Sequence, residues 1–136
     1  MRDPLANSPG YSLRRASNAM MAELAQRLAE FDLRTTEASV LMVIADNPEL
    51  TASAVGRLLD IQRANMVPLL KRLEDAGLIE RTPIDGKSQG LSLTDAGRET
   101  QRKARQAIET FEADLIARVP AEHRAHLLPA LDALWR

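Results

Sequence analysis

The stretch from Thr51 to Gly97 restricts the fold more than any other, because its hydrophobic period changes twice. Thr51 is a suitable N-cap for a short helix bearing Val55, Leu58 and Leu59, and Asp60-Ile61 then turns the chain into a second helix, QRANMVPLLKRLEDAG. On that helix Met66, Leu69, Leu70 and Leu73 share one stripe. Ala64, Pro68, Lys71 and Asp75 lie opposite, with Asn65 and Arg72 flanking them. Gly77 is placed to end it. The period then falls to two: LIERTPI and SQGLSLT read as strands joined at Asp85-Gly86-Lys87, since Asp-Gly is a strong hairpin signal. Two short helices joined by a tight turn, the second polar on its outer face, followed by a two-stranded hairpin, make a winged helix-turn-helix. Gly56, in the middle of the first helix, costs about 1 kcal/mol relative to Ala and is explained if the second helix crosses closely there. Asp60, a residue that tolerates a left-handed conformation, stands at the corner.

Helices flank this unit on both sides. Residues 1–10, MRDPLANSPG, lack periodicity and read as a flexible arm. Leu13, Ala16, Met20, Leu24, Leu28 and Phe31 recur at threes and fours, which predicts a long helix from Ser12 within a segment 11–32. TTEASVLMVIADNP offers Thr35 or Thr36 as an N-cap, an apolar body and Asn47-Pro48 as a stop, so it predicts a short helix buried on most sides. After Thr94, another cap, Ala104, Ile108, Phe111, Leu115 and Val119 predict a helix that Pro120 ends. The last segment carries Leu127, Leu131 and Leu134 on one stripe, with Pro129 expected to bend or divide it. The fold class is mainly α (α+β): a winged lobe at 33–97 between an N-terminal helix and the C-terminal helices of 98–136.

With no Cys among its 136 residues, the chain has no disulfide, thiolate zinc site or thiol nucleophile. Its longest apolar run, Val40 to Ala45, falls far short of the roughly 20 residues of a membrane span, and no signal-like apolar core opens the sequence. A cytoplasmic location without membrane contact is expected. Net charge is −1, so any affinity for nucleic acid must come from local placement of charge. No nucleophile motif, glycine-rich phosphate loop or close acid pair is present, so neither an enzyme nor a cofactor is expected. His123 and His126 stand at i, i+3 near Glu122, but two imidazoles without a third matched ligand are more simply surface or interface histidines.

On the outer face of the second helix, Gln62, Arg63 and Asn65 are hydrogen-bonding types at the end where a recognition helix meets base edges, and Lys71 and Arg72 suit phosphate contacts. The alternative is a plain solvated face. Pro68 deletes one helical bond, to the carbonyl of Ala64, and offers ring surface to a thymine methyl or a sugar. The helix either continues through Pro68 or begins there. Met66 on the apolar stripe favours one continuous, bent helix.

The stretch TASAVGRLLDIQRANMVPLLKRLEDAGLIERTPIDGKSQGLSLTDAG resembles the MarR family of bacterial transcriptional regulators, through LLKRLEDAGLIER and the closing LSLTDAG. The match is specific from about Leu33 to Gly97 and rests on pattern alone in the flanking helices. RANMVPL looks like a subgroup trait, which makes the proline one too. The resemblance implies that Gln62, Arg63, Ala64, Asn65, Pro68, Lys71 and Arg72 face DNA from the recognition helix, and that Asp85, Gly86, Lys87, Ser88 and Gln89 do so from the wing. Two departures stand out. Family wings usually carry Asp-x-Arg, and here Lys87 replaces the arginine, giving a point charge without the planar fork. Arg34 stands where many members have the Thr that caps the second helix, leaving Thr35 to substitute.

The terminal stripes need cover. Leu13, Met20, Leu115, Leu127, Leu131, Leu134 and Trp135 would leave a sizeable apolar patch on a monomer, unless they close a helical core within one chain. The resemblance implies a homodimer built by the terminal helices, which sets two recognition helices one turn apart on palindromic double-stranded DNA. It also implies a small aromatic or phenolic acid as effector, held between the dimer helices and the lobe. The candidates there are Tyr11, Arg14, Arg15, Ser17, Met20, Met21 and Met42, each of which also has an ordinary structural reading. The run Arg98–Gln106, four basic residues to one acid, is either a solvated face or part of a rim facing DNA. The expectation is a DNA-binding transcriptional regulator, most simply a ligand-released repressor. The rival is a winged-helix protein-interaction module, favoured by the neutral charge of Thr51–Gly97, with six basic and six acidic residues.

Overall fold

The computed structural model describes residues 1–136. Six α-helices and one hairpin follow in the order α1 (Pro9–Ala29), α2 (Thr35–Asp46), α3 (Ala52–Leu58), α4 (Arg63–Asp75), β1 (Ile79–Pro83), β2 (Gln89–Leu93), α5 (Asp95–Arg118) and α6 (Arg124–Asp132), with a 3-10 turn at Ala121–His123. No helix is long and apolar enough to cross a membrane. As its composition requires, α2 is the hub: Ala38, Val40, Leu41 and Ile44 are all buried. Around it gather Leu24 and Leu28 of α1, Val55 of α3, Met66, Leu70 and Leu73 of α4, Leu91 and Leu93 of β2, and Ala104 and Phe111 of α5.

Charges fasten α1 to α5 at the rim. Glu23 accepts two bonds from Arg118, both 2.8 Å, and one of 3.0 Å from Arg27, which also reaches Asp114 at 2.8 Å. Those donors, Arg118 foremost, hold the Glu23 carboxyl below its ordinary range. At the base of the hairpin, Thr94 Oγ1 caps α5 by accepting from the Gly97 N–H (2.9 Å) while its hydroxyl donates to the Gly77 carbonyl (2.5 Å). Gly97 lies so close to the backbone leading into β1 that a Cβ there would stand 1.9 Å from the Leu78 carbonyl oxygen. No other residue fits.

The elements expected from the sequence are present, with four local corrections. α1 begins at Pro9, inside the segment read as an arm, because proline at the first helical position forfeits an N–H that would lack a partner anyway. α2 is entered from an extended Arg34, with Thr35 as its first helical residue, so neither threonine caps it; the Arg34 N–H donates instead to Glu37 Oε1 (2.7 Å). Pro129 lies within a continuous α6, and the interruption falls earlier, at Pro120. The hairpin loop is longer than the three residues Asp85-Gly86-Lys87: the strands pair from Ile79–Leu93 to Pro83–Gln89 around residues 84–88, and Gly86 is not left-handed. Asp85 shapes that loop by accepting from the Lys87 (3.1 Å) and Ser88 (2.9 Å) N–H groups.

Candidate nucleic-acid interface

The geometry starts at the α3–α4 corner. A Cβ on Gly56 would lie 3.1 Å from the Ile61 carbonyl oxygen and 3.2 Å from Met66 Cγ, so a glycine there allows the close crossing expected from the sequence. Asp60 takes the left-handed corner, with φ of 53°. α4 then runs through Pro68 as one helix, its buried stripe made of Met66, Leu70 and Leu73. Gln62, Arg63, Ala64, Asn65, Pro68 and Lys71 are all exposed. Gln62 makes no side-chain cap bond, and its carbonyl accepts from the Asn65 and Met66 N–H groups at 2.9 and 3.0 Å. An apolar side chain unremarked in the sequence shares this surface: Val67 is 63% exposed.

Ion pairing decides which of the charged side chains are left free. Ten of the 18 Lys and Arg side chains lie within ion-pair distance of a carboxylate. Of the others, Arg124 donates to the Val119 and Ala117 carbonyls. Arg2, Arg14 and Arg15 lie at the amino-terminal end, and Arg34, Arg57, Arg63 and Lys87 lie in the winged lobe. The run Arg98–Gln106, by contrast, is neutralised: Arg98 pairs with Asp95, Arg102 and Lys103 with Glu99, and Arg105 with Asp46. Within Thr51–Gly97 the charges sum to zero, and the unpaired cations Arg57, Arg63 and Lys87 are matched by the unpaired carboxylates Asp60, Glu80 and Asp85, so an anion would be met by local placement of charge and not by a surplus.

Two of the expected contacts separate here. Lys71 is exposed and pairs only with Asp75, one turn on. Arg72 instead turns inward, its Nε 3.0 Å from Oε2 of Glu37, a carboxylate whose side chain is 3% exposed. Glu37 thus takes one bond from the start of α2 and one from α4, and it fixes the angle between them. Arg72 is corrected from a free phosphate ligand to a strut beneath the recognition helix. The exposed cation that sequence reasoning missed is Arg34. It lines a cleft of about 600 Å³ together with Gln62, Asn65 and Pro68. A signal existed: a basic residue at a helix N-terminus opposes the helix dipole and calls for another reason to be there.

On the wing, Asp85, Gly86, Lys87 and Gln89 are exposed and Ser88 is half-buried. The backbone N–H groups of Ser88 and then Lys87 hold the Asp85 carboxyl below its ordinary range. Lys87 has no carboxylate partner, so its ammonium stands free at the tip.

The residues proposed for an effector do not come together in one chain. The Tyr11 hydroxyl accepts from Arg15 (2.8 Å), and the guanidinium carbons of Arg14 and Arg15 lie 5.6 and 5.7 Å from the Tyr11 ring centre. Ser17 and Met21 are exposed farther along α1, Met20 packs on the core, and Met42 is half-buried in α2. None of them lines the cleft beside α4 or a second one of about 390 Å³ between α1 and α5. The outer face of α1 has nothing opposite it. Of the residues expected at a dimer interface, Leu13, Leu134 and Trp135 are exposed, and Leu127 and Leu131 are half-buried. Met20 and Leu115 are half-buried as well, each packing with one side against the chain's own core. Leu128 and Ile116 are exposed on the same terminal helices and were not anticipated. His123 and His126 are exposed, and no group of three or more potential metal ligands forms.

A family model described as the MarR family matches residues 31–89, the stretch from the end of α1 to the start of β2. A protein of Thauera aromatica, named as a transcriptional regulatory protein for the hcr operon, is 31% identical over 97% of this chain and 81% of its own length. Among solved structures, the transcriptional repressor CouR bound to p-coumaroyl-CoA superposes with a TM-score of 0.89 at 31% identity, over 100% of this chain and 97% of that one. CouR bound to a 23-mer DNA duplex gives 0.88 at 30% identity, over the whole of both chains.

Proposed function

The chain belongs to the MarR family of transcriptional regulators, and from that premise we propose that it works as a homodimeric, non-enzymatic repressor that binds palindromic double-stranded DNA in the cytoplasm and is released by a small-molecule effector. The observation that carries this reading is the set of unpaired groups at the start of α4 and beside it: Gln62, Arg63 and Asn65 for base edges, and Arg34 and Lys87 for the phosphate backbone. Neutral charge alone would favour docking on a protein. Pairing leaves that balance unchanged, since Lys71, Arg72 and Arg81 are each held by a carboxylate; what supports the DNA reading is the place of the unpaired cations, Arg34 and Arg63 beside the start of α4 and Lys87 at the wing tip.

The dimer is supported by the uncovered apolar side chains of the terminal helices, and the effector class by the p-coumaroyl-CoA carried by CouR. An aromatic acid or its thioester would meet Arg14, Arg15 and Tyr11 where α1 of one protomer faces the lobe across the dimer. Selection of bound duplexes from a random pool, at a stated salt concentration, tests the central claim. Enrichment of a palindrome is expected. Failure to enrich any sequence would favour the protein-docking alternative.

A further inference from the structure

The outward surface of α4 holds one side chain that neither folding nor charge explains. Val67 is 63% exposed, although a β-branched residue on an open helix surface adds nothing to the core and lowers helix propensity. It lies one turn after Arg63 and one turn before Lys71, so the three form a single i, i+4 ridge. Arg63 has no carboxylate partner and Lys71 is open to solvent beyond its pair with Asp75. A cation thus stands at each end of the ridge and an isopropyl group between them. Beside it Ala64 is exposed and small, which lets the helix approach a partner closely. Pro68 points elsewhere, since it lines the cleft shared with Arg34 and Asn65 whereas Val67 does not.

In the major groove the apolar group offered by the base pairs is the 5-methyl of thymine. We propose that Val67 is a specificity-determining residue that packs on one thymine 5-methyl in each half-site, with Arg63 and Lys71 holding the helix in register over it. This rests on the DNA-binding reading above. It adds that selectivity comes partly from an apolar contact, at a position distinct from any read by Asn65 or Gln62.

The test uses the full-length protein and the palindrome obtained by selection. Each thymine is replaced by deoxyuridine, symmetrically in both half-sites, which removes only the methyl. At one position the affinity should fall about fourfold per half-site, or about fifteenfold for the pair, as expected for one methyl-sized apolar contact. In Val67→Ala that penalty should shrink to within about twofold while the remaining thymines behave as in the parent. The substitution lies on an exposed helix surface and replaces Val by a better helix former, so the variant should fold; its thermal unfolding is the check. Val67→Thr, which keeps the shape but trades one methyl for a hydroxyl, should fall between the two. If the parent binds its palindrome and no thymine is sensitive, or the penalty persists unchanged in Val67→Ala, the assignment is wrong and DNA binding stands. If no palindrome is selected at all, the DNA-binding reading fails and this one with it.

Discussion

α2, with Val, Leu, Met and Ile in its body, and α6, with three leucines, are both short helices carrying large apolar side chains, and they meet opposite fates. α2 buries Ala38, Val40, Leu41 and Ile44 within its own chain. α6 buries nothing: its Leu128 is 64% exposed, and Leu134 and Trp135 just beyond its end are 68 and 71% exposed. Every member of the buried apolar cluster lies between Leu24 and Phe111. One chain therefore completes the winged lobe and leaves its carboxy-terminal end unfinished. Covering each of those large side chains is worth about 1.5–3 kcal/mol, a gain that the second protomer of the proposed dimer would supply. Stability of the lobe and assembly of the dimer are thus separable properties, carried by different residues.

The strongest way to break that separation is to charge the open end. Leu128→Asp with Leu134→Asp would place four carboxylates in a two-fold interface, each costing several kcal/mol if buried unpaired. Monomers should appear in sedimentation at micromolar concentration, with the lobe's cooperative unfolding retained and operator affinity reduced at least about a hundredfold through loss of bivalent binding. A dimer unaffected by both charges would mean that other surfaces hold it. Next in size is a change inside the lobe. Gly97→Ala puts a methyl against the Leu78 carbonyl, which is backbone and cannot swing aside. Overpacking of that kind should cost about 3 kcal/mol or more in urea unfolding. A loss under about 1 kcal/mol would show that the hairpin and α5 are not locked at this point.

The same contrast explains what could be read from the sequence. Periodicity located the helices because burial follows from pattern, and Gly56 and Asp60 announced the corner because few residue types fit such a backbone. The continuous α4 through Pro68 was legible from Met66, whose place on the apolar stripe required helix before the proline. Pairing was not legible. Nothing local distinguishes Arg72, drawn in by Glu37 from 35 positions away, from Lys71 beside it. Arg34 was read only as a replaced cap, since its neighbours Gln62 and Asn65 come to it through the fold. The expected effector residues of α1 and α2 share a chemistry and not a cavity, and their meeting place depends on a surface that one chain does not contain.

Adjacent residues sharpen the point with smaller effects. Arg72→Ala leaves the Glu37 carboxylate without its charged partner, and since the arginine is 40% exposed the cost should be about 1–3 kcal/mol in stability. Lys71→Ala removes only an exposed pair with Asp75 and should change stability by no more than about 0.5 kcal/mol. On DNA the order reverses in kind: Lys71→Ala should weaken specific and random duplexes alike, whereas Arg72→Ala should lower the ratio between them by loosening the seat of α4. Equal thermal shifts for the two variants would return Arg72 to the solvent-facing set.

The smallest effect is expected at the wing, which contributes neither core nor dimer surface. Asp85 holds the loop by accepting the Ser88 and Lys87 N–H groups, and those bonds hold its carboxyl below its ordinary range. A group depressed by folding stabilises the structure above its unfolded value and loses that contribution as pH falls through the folded one. Asp85 is therefore fully ionised from about pH 6 to 8, and its support for the loop should be constant across that range. The wing's share of DNA affinity should likewise be independent of pH there and depend on salt instead. Lys87→Ala should weaken binding to all sequences and reduce the log–log salt slope by about one unit for each wing that touches DNA, because one fewer counterion is released per contact. Lys87→Arg should restore the slope and, where the loop lets a guanidinium enter an A·T-rich minor groove, bind more tightly than the parent. Asp85→Ala should reproduce part of the Lys87→Ala loss in affinity with a smaller change in slope, since the charge remains while its position is released. If Lys87→Ala keeps the parent's affinity and slope, the wing stands clear of DNA and α4 with Arg34 carries the interface alone.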